Sequence, residues 1–314
     1  MTSRRFATFA WLVLAYNLAV IAWGAYVRAT GSGAGCGQHW PLCNGEVMPR
    51  TGSVALTIEL THRVSSGFVL VLAAALIAWA FKAAAKGHPV RRAAVGVGVL
   101  TVTEAVVGAG LVLLKLVGTD ASMLRALSMA VHLTNTFLLV GALTLTAAWA
   151  TWDARPRPRA HLGLGLLIVS GLEGVLVVGV SGAIAALGDT LFPAATLGAG
   201  LAQDFSATAH LLVRLRVLHP FIAVAVGLLL LVIANVMPAA ARREGRLLLG
   251  LVLVQLGAGA LSVALLAPVW LQLVHLLLAD LVWIALVLAG NRALAAPVPA
   301  RAATAAPLPA GAPG

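Results

Sequence analysis

The sequence predicts an all-α integral membrane protein with eight transmembrane helices. Of its 314 residues, 61% are apolar and only 10% are charged, and the mean hydropathy is +1.00. Soluble domains usually carry about a quarter charged residues, and a helix needs about 20 predominantly apolar residues to cross a bilayer. The apolar runs near that length lie at about 9–27, 63–81, 93–116, 126–150, 162–186, 208–234, 247–267 and 270–290.

The basic residues predict how these spans are oriented. Fourteen of the 21 Lys and Arg residues precede the first span, follow the last, or lie in every second connection. Cytoplasmic loops carry an excess of Lys and Arg, so both termini are predicted to be cytoplasmic. The net charge of +11 then reflects topology, and no nucleic-acid partner is expected. The first span has no signal-peptide cleavage pattern, and the Ala/Pro-rich tail at 292–314 is expected to be disordered.

Four of the eight histidines recur at one position. His62, His132, His219 and His275 each fall in the first part of an even-numbered span. Even spans run in the same direction, so these imidazoles are predicted at a similar depth, in the outer half of the bilayer. Each one alone could simply be packed and hydrogen-bonded. Together they favour two haem sites, because intramembrane ionisable groups are usually functional and one histidine from each of two helices suits axial ligation.

The two halves of the chain also resemble each other. "VVGAGLVLL" precedes His132, and "QLGAGALSVALL" precedes His275. We therefore predict two pseudo-symmetric four-helix bundles, at 1–155 and 156–291, related by an axis along the membrane normal. The glycines allow close approach of a helix or a macrocycle, and plain helix packing explains them equally well.

The first half carries additional polar groups near its outer end. Glu59 lies three residues before His62 and is a candidate for proton handling, although a carboxylate near a helix start also has an ordinary electrostatic role. Cys36 and Cys43 lie in the first outer loop, where an oxidising environment favours a disulfide. The pair is either a clamp on the loop or redox-active.

Other charged residues lie near the outer ends or within the spans. Candidates for binding haem propionates, because guanidinium matches carboxylate geometry, are Arg28, Arg63, Arg214 and Arg216. Interfacial anchoring is the alternative for all four. Glu104, Glu173 and Asp280 are expected to face the bundle interior, without an assigned role.

These features resemble the haem A synthase family over about residues 10–290. The resemblance rests on "YVRATGSGAGCGQHWPLC", on "ELTHR", and on the single histidines of spans 4, 6 and 8. It implies oxidation of the C8 methyl of haem O to a formyl group by successive hydroxylations, which yields haem A for cytochrome oxidase. Some members carry a second cysteine pair between spans 5 and 6, which this sequence lacks.

The resemblance also implies roles for individual residues and partners. Haem O, the substrate, would lie between His62 and His132, and a permanent haem b between His219 and His275. Glu59 matches the family's functional glutamate, and the loop cysteines match its loop pair. A bacterial cell membrane is implied, with haem sites toward the outer side, an unidentified electron donor, and haem O synthase as a candidate partner.

Two imidazoles on the substrate iron leave no open position for oxygen, so either a ligand leaves or the oxidant acts elsewhere. Two haem-based alternatives remain open: a di-haem b-type electron-transfer cytochrome and a non-catalytic haem carrier. A thiol–quinone oxidoreductase is a weaker third.

Overall fold

The computed structural model describes residues 3–49, 52–152, 156 and 161–296, and this part of the chain is helical and contains no β-strand. Its helices include eight spans long and apolar enough to cross a membrane, which confirms the predicted fold class. The α-helices are α1 Arg4–Ala29, α2 Val54–Ala83, α3 Pro89–Leu113, α4 Met123–Thr151, α5 Leu162–Leu191, α6 Leu197–Asp204, α7 Leu211–Arg216, α8 Leu218–Asn235, α9 Arg242–Ala264 and α10 Val269–Ala295.

The second span starts earlier than predicted. α2 begins at Val54, nine residues before the predicted boundary at 63. Ser53 caps it, because its hydroxyl accepts the backbone N–H of Leu56, and such caps satisfy otherwise unpaired donors of a first turn. Glu59 and His62 therefore lie within the helix rather than at its entrance.

The sixth span is interrupted, where the sequence predicted one helix over 208–234. α7 ends at Arg216 and α8 begins at Leu218. Pro220 has no backbone N–H to donate to the carbonyl of Arg216, so the hydrogen-bond ladder is broken at this point. The short helix α6, which precedes the interrupted span, was not predicted.

Each half packs as a closed ring of four spans. In the first half α1 contacts α2, α2 contacts α3, α3 contacts α4, and α4 contacts α1. In the second half the corresponding order is α5, α8, α9, α10 and back to α5. The helices that carry the four repeated histidines, α2 and α4 in one ring and α8 and α10 in the other, are therefore diagonal partners across each bundle.

The two rings join along α1 and α4 on one side and α5 and α10 on the other. A continuous apolar core runs through this junction and includes Phe137 and Trp283, whose ring centroids are 5.4 Å apart. α10 continues to Ala295, past the predicted start of the tail at 292. The rest of that predicted tail, from 297, lies outside the described residues. The cytoplasmic location of the termini and the symmetry axis stay predictions.

Candidate haem-binding sites

Each repeated histidine packs against a glycine of the preceding span in its ring. The pairs are Gly24–His62, Gly108–His132, Gly182–His219 and Gly259–His275. A β-carbon on the glycine would come within 3.0 Å of the ring in three pairs, and 3.9 Å from it at Gly108. Real β-carbons do not tolerate 3.0 Å contacts without displacing a neighbour, so the missing side chain fixes where the imidazole lies.

The imidazoles of the second half face each other at a distance that suits a shared iron. The ring centroids of His219 and His275 are 6.4 Å apart, with ring planes at 89°. Metal–imidazole bonds of about 2 Å place two axial rings roughly 6 Å apart across one iron. The Ser181 hydroxyl donates to the carbonyl of Val178 and lies 3.0 Å from Nδ1 of His219. With the hydroxyl hydrogen on Val178, Nδ1 of His219 would donate to Ser181, and this tautomer has Nε2 free for a metal.

The imidazoles of the first half carry buried nitrogens without a hydrogen bond. Nδ1 of His62 and Nδ1 of His132 are both buried and have no hydrogen-bond partner. The carboxylate of Glu104 approaches Nδ1 of His132 at 3.5 Å, which is an ion-pair contact longer than a good hydrogen bond.

These features fit haem better than a protein-only metal site. Among the described residues no group of three or more His, Cys, Asp or Glu side chains could hold a metal ion. A haem needs only two axial ligands, because the porphyrin supplies the other four nitrogens. Nδ1 of His275 is also buried without a partner, and an imidazole on each of two diagonal helices is the arrangement that axial ligation requires.

Glu59 anchors the cysteine-bearing loop to α2. Its side chain is 3% exposed, and Oε2 accepts the backbone N–H of Cys36 at 2.8 Å. Oε1 pairs with Arg63, which also donates to the carbonyls of His39 and Leu42. Both carboxylate oxygens are thus engaged in holding the loop, and proton handling by Glu59 stays a prediction.

The predicted disulfide between Cys36 and Cys43 is present, and both residues are fully buried. The loop lies directly on the first turn of α2: a β-carbon on Gly35 would come 2.5 Å from the backbone of Ala55. Leu56 completes this small apolar cluster with the two cysteines. The disulfide and Glu59 therefore close the loop over the end of the first bundle at which α2 begins.

Three of the four arginines predicted as propionate contacts already have several protein partners. Arg28 donates to the carbonyl of Ala186, to Thr190 and to Gln272, and so links α1 to α5 and α10. Arg216 forms ion pairs with Asp189 and Asp204. Arg63 is held by Glu59 as described, and Arg214 is exposed. Propionate binding by these four stays a prediction.

Arg125 is a buried cation that the sequence analysis missed. It is 3% exposed, donates to the carbonyls of Gly118 and Asp120, and keeps a buried Nε without a partner. A guanidinium two turns before His132 on α4 was visible in the sequence, but its burial depends on how the α3–α4 loop folds.

The three unassigned acids have different positions. Glu104 faces the bundle beside His132, as predicted. Asp280 is fully buried, and neither carboxylate oxygen has a hydrogen-bond partner. Glu173 contradicts the prediction, because it is exposed on the outer surface of α5. The ring order places this face of α5 away from its neighbours, which helical periodicity alone did not reveal.

Three of the other four histidines have structural contacts. His88 and His210 cap α3 and α7 by accepting the N–H groups of Val90 and Leu212. His161 contacts the carbonyl of Ala296.

Comparison with known proteins gives two kinds of relative. Two strains of Thermus thermophilus have a protein named protoheme IX farnesyltransferase that is 47% identical over 297 residues, which cover 92% of this chain and 48% of that protein. The chain thus spans about half the length of these relatives. Proteins named heme A synthase are 38% identical over 95 residues in Alkalihalophilus pseudofirmus and 39% over 105 residues in Geobacillus kaustophilus.

These shorter matches cover 30% and 32% of this chain, and 32% and 33% of the two relatives. A profile of a family described as cytochrome oxidase assembly protein matches residues 7–287, which include all eight spans up to the last turns of α10. The chain therefore belongs to the COX15-CtaA family of cytochrome oxidase assembly proteins, the family of the heme A synthases.

Proposed function

We propose that this protein is a haem A synthase that oxidises the C8 methyl of haem O to a formyl group. The observation that carries the proposal is the pair of diagonal histidines in each four-helix ring, each set against a glycine. Two such sites supply one haem position for a substrate and one for a resident cofactor. The family relationship and the heme A synthase relatives support the same chemistry.

We assign substrate haem O to the first half and haem b to the second. His62 and His132 would hold the substrate, and His219 and His275 the cofactor. Bound haem supplies the redox chemistry that side chains lack. The protein orients the macrocycle through the histidines, and the loop held by Glu59 and the disulfide covers the outer end of the first bundle.

Two apolar clefts support entry of a hydrophobic substrate from the bilayer. One is lined by residues of α3 and α4 and the other by residues of α4 alone, with volumes of about 270 and 340 Å³, and Val131, the residue before His132, lines both. Gly110 and Leu127 line one cleft, and Leu138 lines the other. A substrate with a long hydrocarbon tail could therefore reach the first half without crossing water.

Extracted-haem mass spectrometry tests the function. The protein is produced together with a source of haem O, and the extracted pigments are compared with those of a H62A/H132A control. Haem A should appear only with the unmodified protein. Unchanged haem O in a protein with normal haem b content would instead support an electron-transfer cytochrome or a haem carrier.

The name of the Thermus relatives raises farnesyl transfer as a second function. Transfer from a phosphate-bearing donor commonly uses Mg²⁺ held by carboxylates, and the described residues contain no cluster of acidic and other ligands able to hold a metal. The part of those relatives outside the match is large enough to hold that activity. We therefore propose the enzyme that farnesylates protohaem as a partner rather than as the identity of this chain.

Co-purification tests this partnership. A tagged form of the protein should retain the farnesylating enzyme from mild-detergent extracts, and the tag alone should not. If the tagged protein and the tag alone recovered equal amounts of the farnesylating enzyme, the proposed partnership would be wrong, and the haem A synthase proposal would be unaffected.

A further inference from the structure

The two halves place related but differently charged side chains beside their histidines. On α3, Glu104 precedes Gly108 by four residues, and on α9, Gln255 precedes Gly259 by four. Each glycine contacts the histidine of the following span. The side chain one turn earlier reaches a nitrogen of that same ring, at 3.5 Å in the first half and 3.3 Å in the second. An acid and its amide analogue thus occupy corresponding positions.

The surroundings of Glu104 keep its carboxylate directed at His132. The Asn135 amide donates to Oε2 of Glu104 and also to the carbonyl of Leu100, while its own oxygen accepts from Thr103. The Thr136 hydroxyl contacts Oε1. These contacts fix an acceptor beside Nδ1 of His132, and they leave Nε2 free for a metal. Polar contacts at a site are often longer before a ligand is bound, so 3.5 Å is a suitable starting distance.

The second half has only neutral partners beside its histidines. Ser181 lies beside Nδ1 of His219, and the amide nitrogen of Gln255, which can only donate, lies beside Nε2 of His275 rather than Nδ1. A carboxylate that accepts from a ligating histidine makes that histidine a stronger donor to the metal; a hydroxyl does so less, and an amide nitrogen cannot accept at all. Stronger donation stabilises the ferric form of a bound haem relative to the ferrous form.

We propose that Glu104 is a positioning residue that acts through His132 to give the first-half haem a lower reduction potential than it would have with a neutral partner. The inference rests on the proposed function, because it requires haem to be held by His132. It deepens that function by identifying which side chain makes the substrate site electronically different from the resident haem site.

Redox titration of the haem-loaded protein tests the proposal. In E104Q the first half acquires the amide found in the second half. At a fixed solution potential the first-half haem should then show about a tenfold higher ferrous-to-ferric ratio, which equals about 59 mV for a one-electron couple. The H219A variant, which should lack the second-half haem, assigns the signals. S181A serves as the matched control and should shift only the second-half haem.

Each result supports or overturns the inference. A first-half ratio within twofold of the unmodified protein overturns it, because a purely structural Glu104 would leave the potential unchanged. If E104Q binds no haem in the first half, E104D is titrated instead. Its carboxylate is one methylene further from His132, so a shift in the same direction supports the proposal and no shift overturns it. Absence of haem from the first half of the unmodified protein would overturn the proposed function as well.

Discussion

The two halves of this protein share a scaffold and differ in the polar groups that surround it. Both form a ring of four spans, and both hold diagonal histidines against glycines. The first half adds a disulfide-closed loop anchored by Glu59, and a carboxylate beside His132. The second half has Ser181 and Gln255 beside its histidines and an interrupted sixth span. The shared parts suit the binding of a haem, and the unshared parts are those by which the proposed function separates a substrate site from a resident site.

Substituting the repeated histidines should produce the largest difference between the halves, measured as the loss of haem from one half and not from the other. H219A or H275A should lose the haem of the second half and keep that of the first, which lowers the haem content from two per chain to one. H62A or H132A should do the reverse, because each site depends on its own pair of ligands. Haem content per chain, measured as the pyridine haemochrome, checks this. H88A is the control, since His88 caps α3 and is not one of the four repeated histidines, and a loss of haem in that variant would mean that the assay reports misfolding.

The stability of the first half should depend strongly on Glu59, the α2 carboxylate that anchors the loop. E59A leaves Arg63 without its charge partner. Breaking a fully buried pair costs about 3 kcal/mol, and because Arg63 is only partly buried the loss in E59A should be smaller than that. Thermal unfolding should show this loss, and much of it should disappear in E59A/R63A, where no unpaired charge remains. Additive effects of the two substitutions would contradict the contact as described.

The variant E59Q separates anchoring from proton handling. An amide oxygen at this position can still accept from the Cys36 N–H, but the amide loses the charge pair with Arg63 and cannot exchange a proton, so E59Q is compared with R63A, which loses the same pair and keeps the carboxylate. If Glu59 handles protons, E59Q should keep both haems and a loop that resists protease, but it should form little haem A. Normal haem A output from E59Q would leave Glu59 with the anchoring role alone.

Reduction of the disulfide should affect the first half selectively. Opening a ring closed by residues seven apart in sequence removes about 2.5 kcal/mol of chain-entropy stabilisation. C36S/C43S should therefore expose the first outer loop to protease while the second-half haem keeps its spectrum. Equal disturbance of both haem spectra would show that the loop supports the whole molecule rather than one bundle.

The glycine contacts allow the finest comparison. G259A adds a β-carbon 3.0 Å from His275, whereas the β-carbon of G257A, two residues earlier on the same helix, meets nothing within 4 Å. G259A should perturb the absorption spectrum of the second-half haem and lower its occupancy severalfold, and G257A should leave both unchanged. Identical spectra for the two variants would indicate that these glycines serve ordinary helix packing and do not position the histidines.

The sequence predicted the parts of the structure that depend on composition and period. Eight spans follow from the length of the apolar runs, and the four histidines stand out because each begins an even span. The early start of α2 was missed because polar residues such as Thr57 and Glu59 lower its hydropathy, although Ser53 is a recognisable cap.

The neighbours of the histidines could not be read from the sequence. Contacts such as Glu104 with His132 and Ser181 with His219 depend on how adjacent helices rotate about their axes. The same rotation places Glu173 on the outer surface, contrary to expectation. A signal was nevertheless present, because an acid and an amide each stand four residues before a glycine in matching spans.

Iron-edge anomalous diffraction from crystals of the haem-loaded protein would show directly whether each four-helix ring holds one haem. We expect two iron peaks per chain, one between His62 and His132 and the other between His219 and His275. A single peak, or an iron bound away from either pair, would contradict the assignment of one haem position to each four-helix ring.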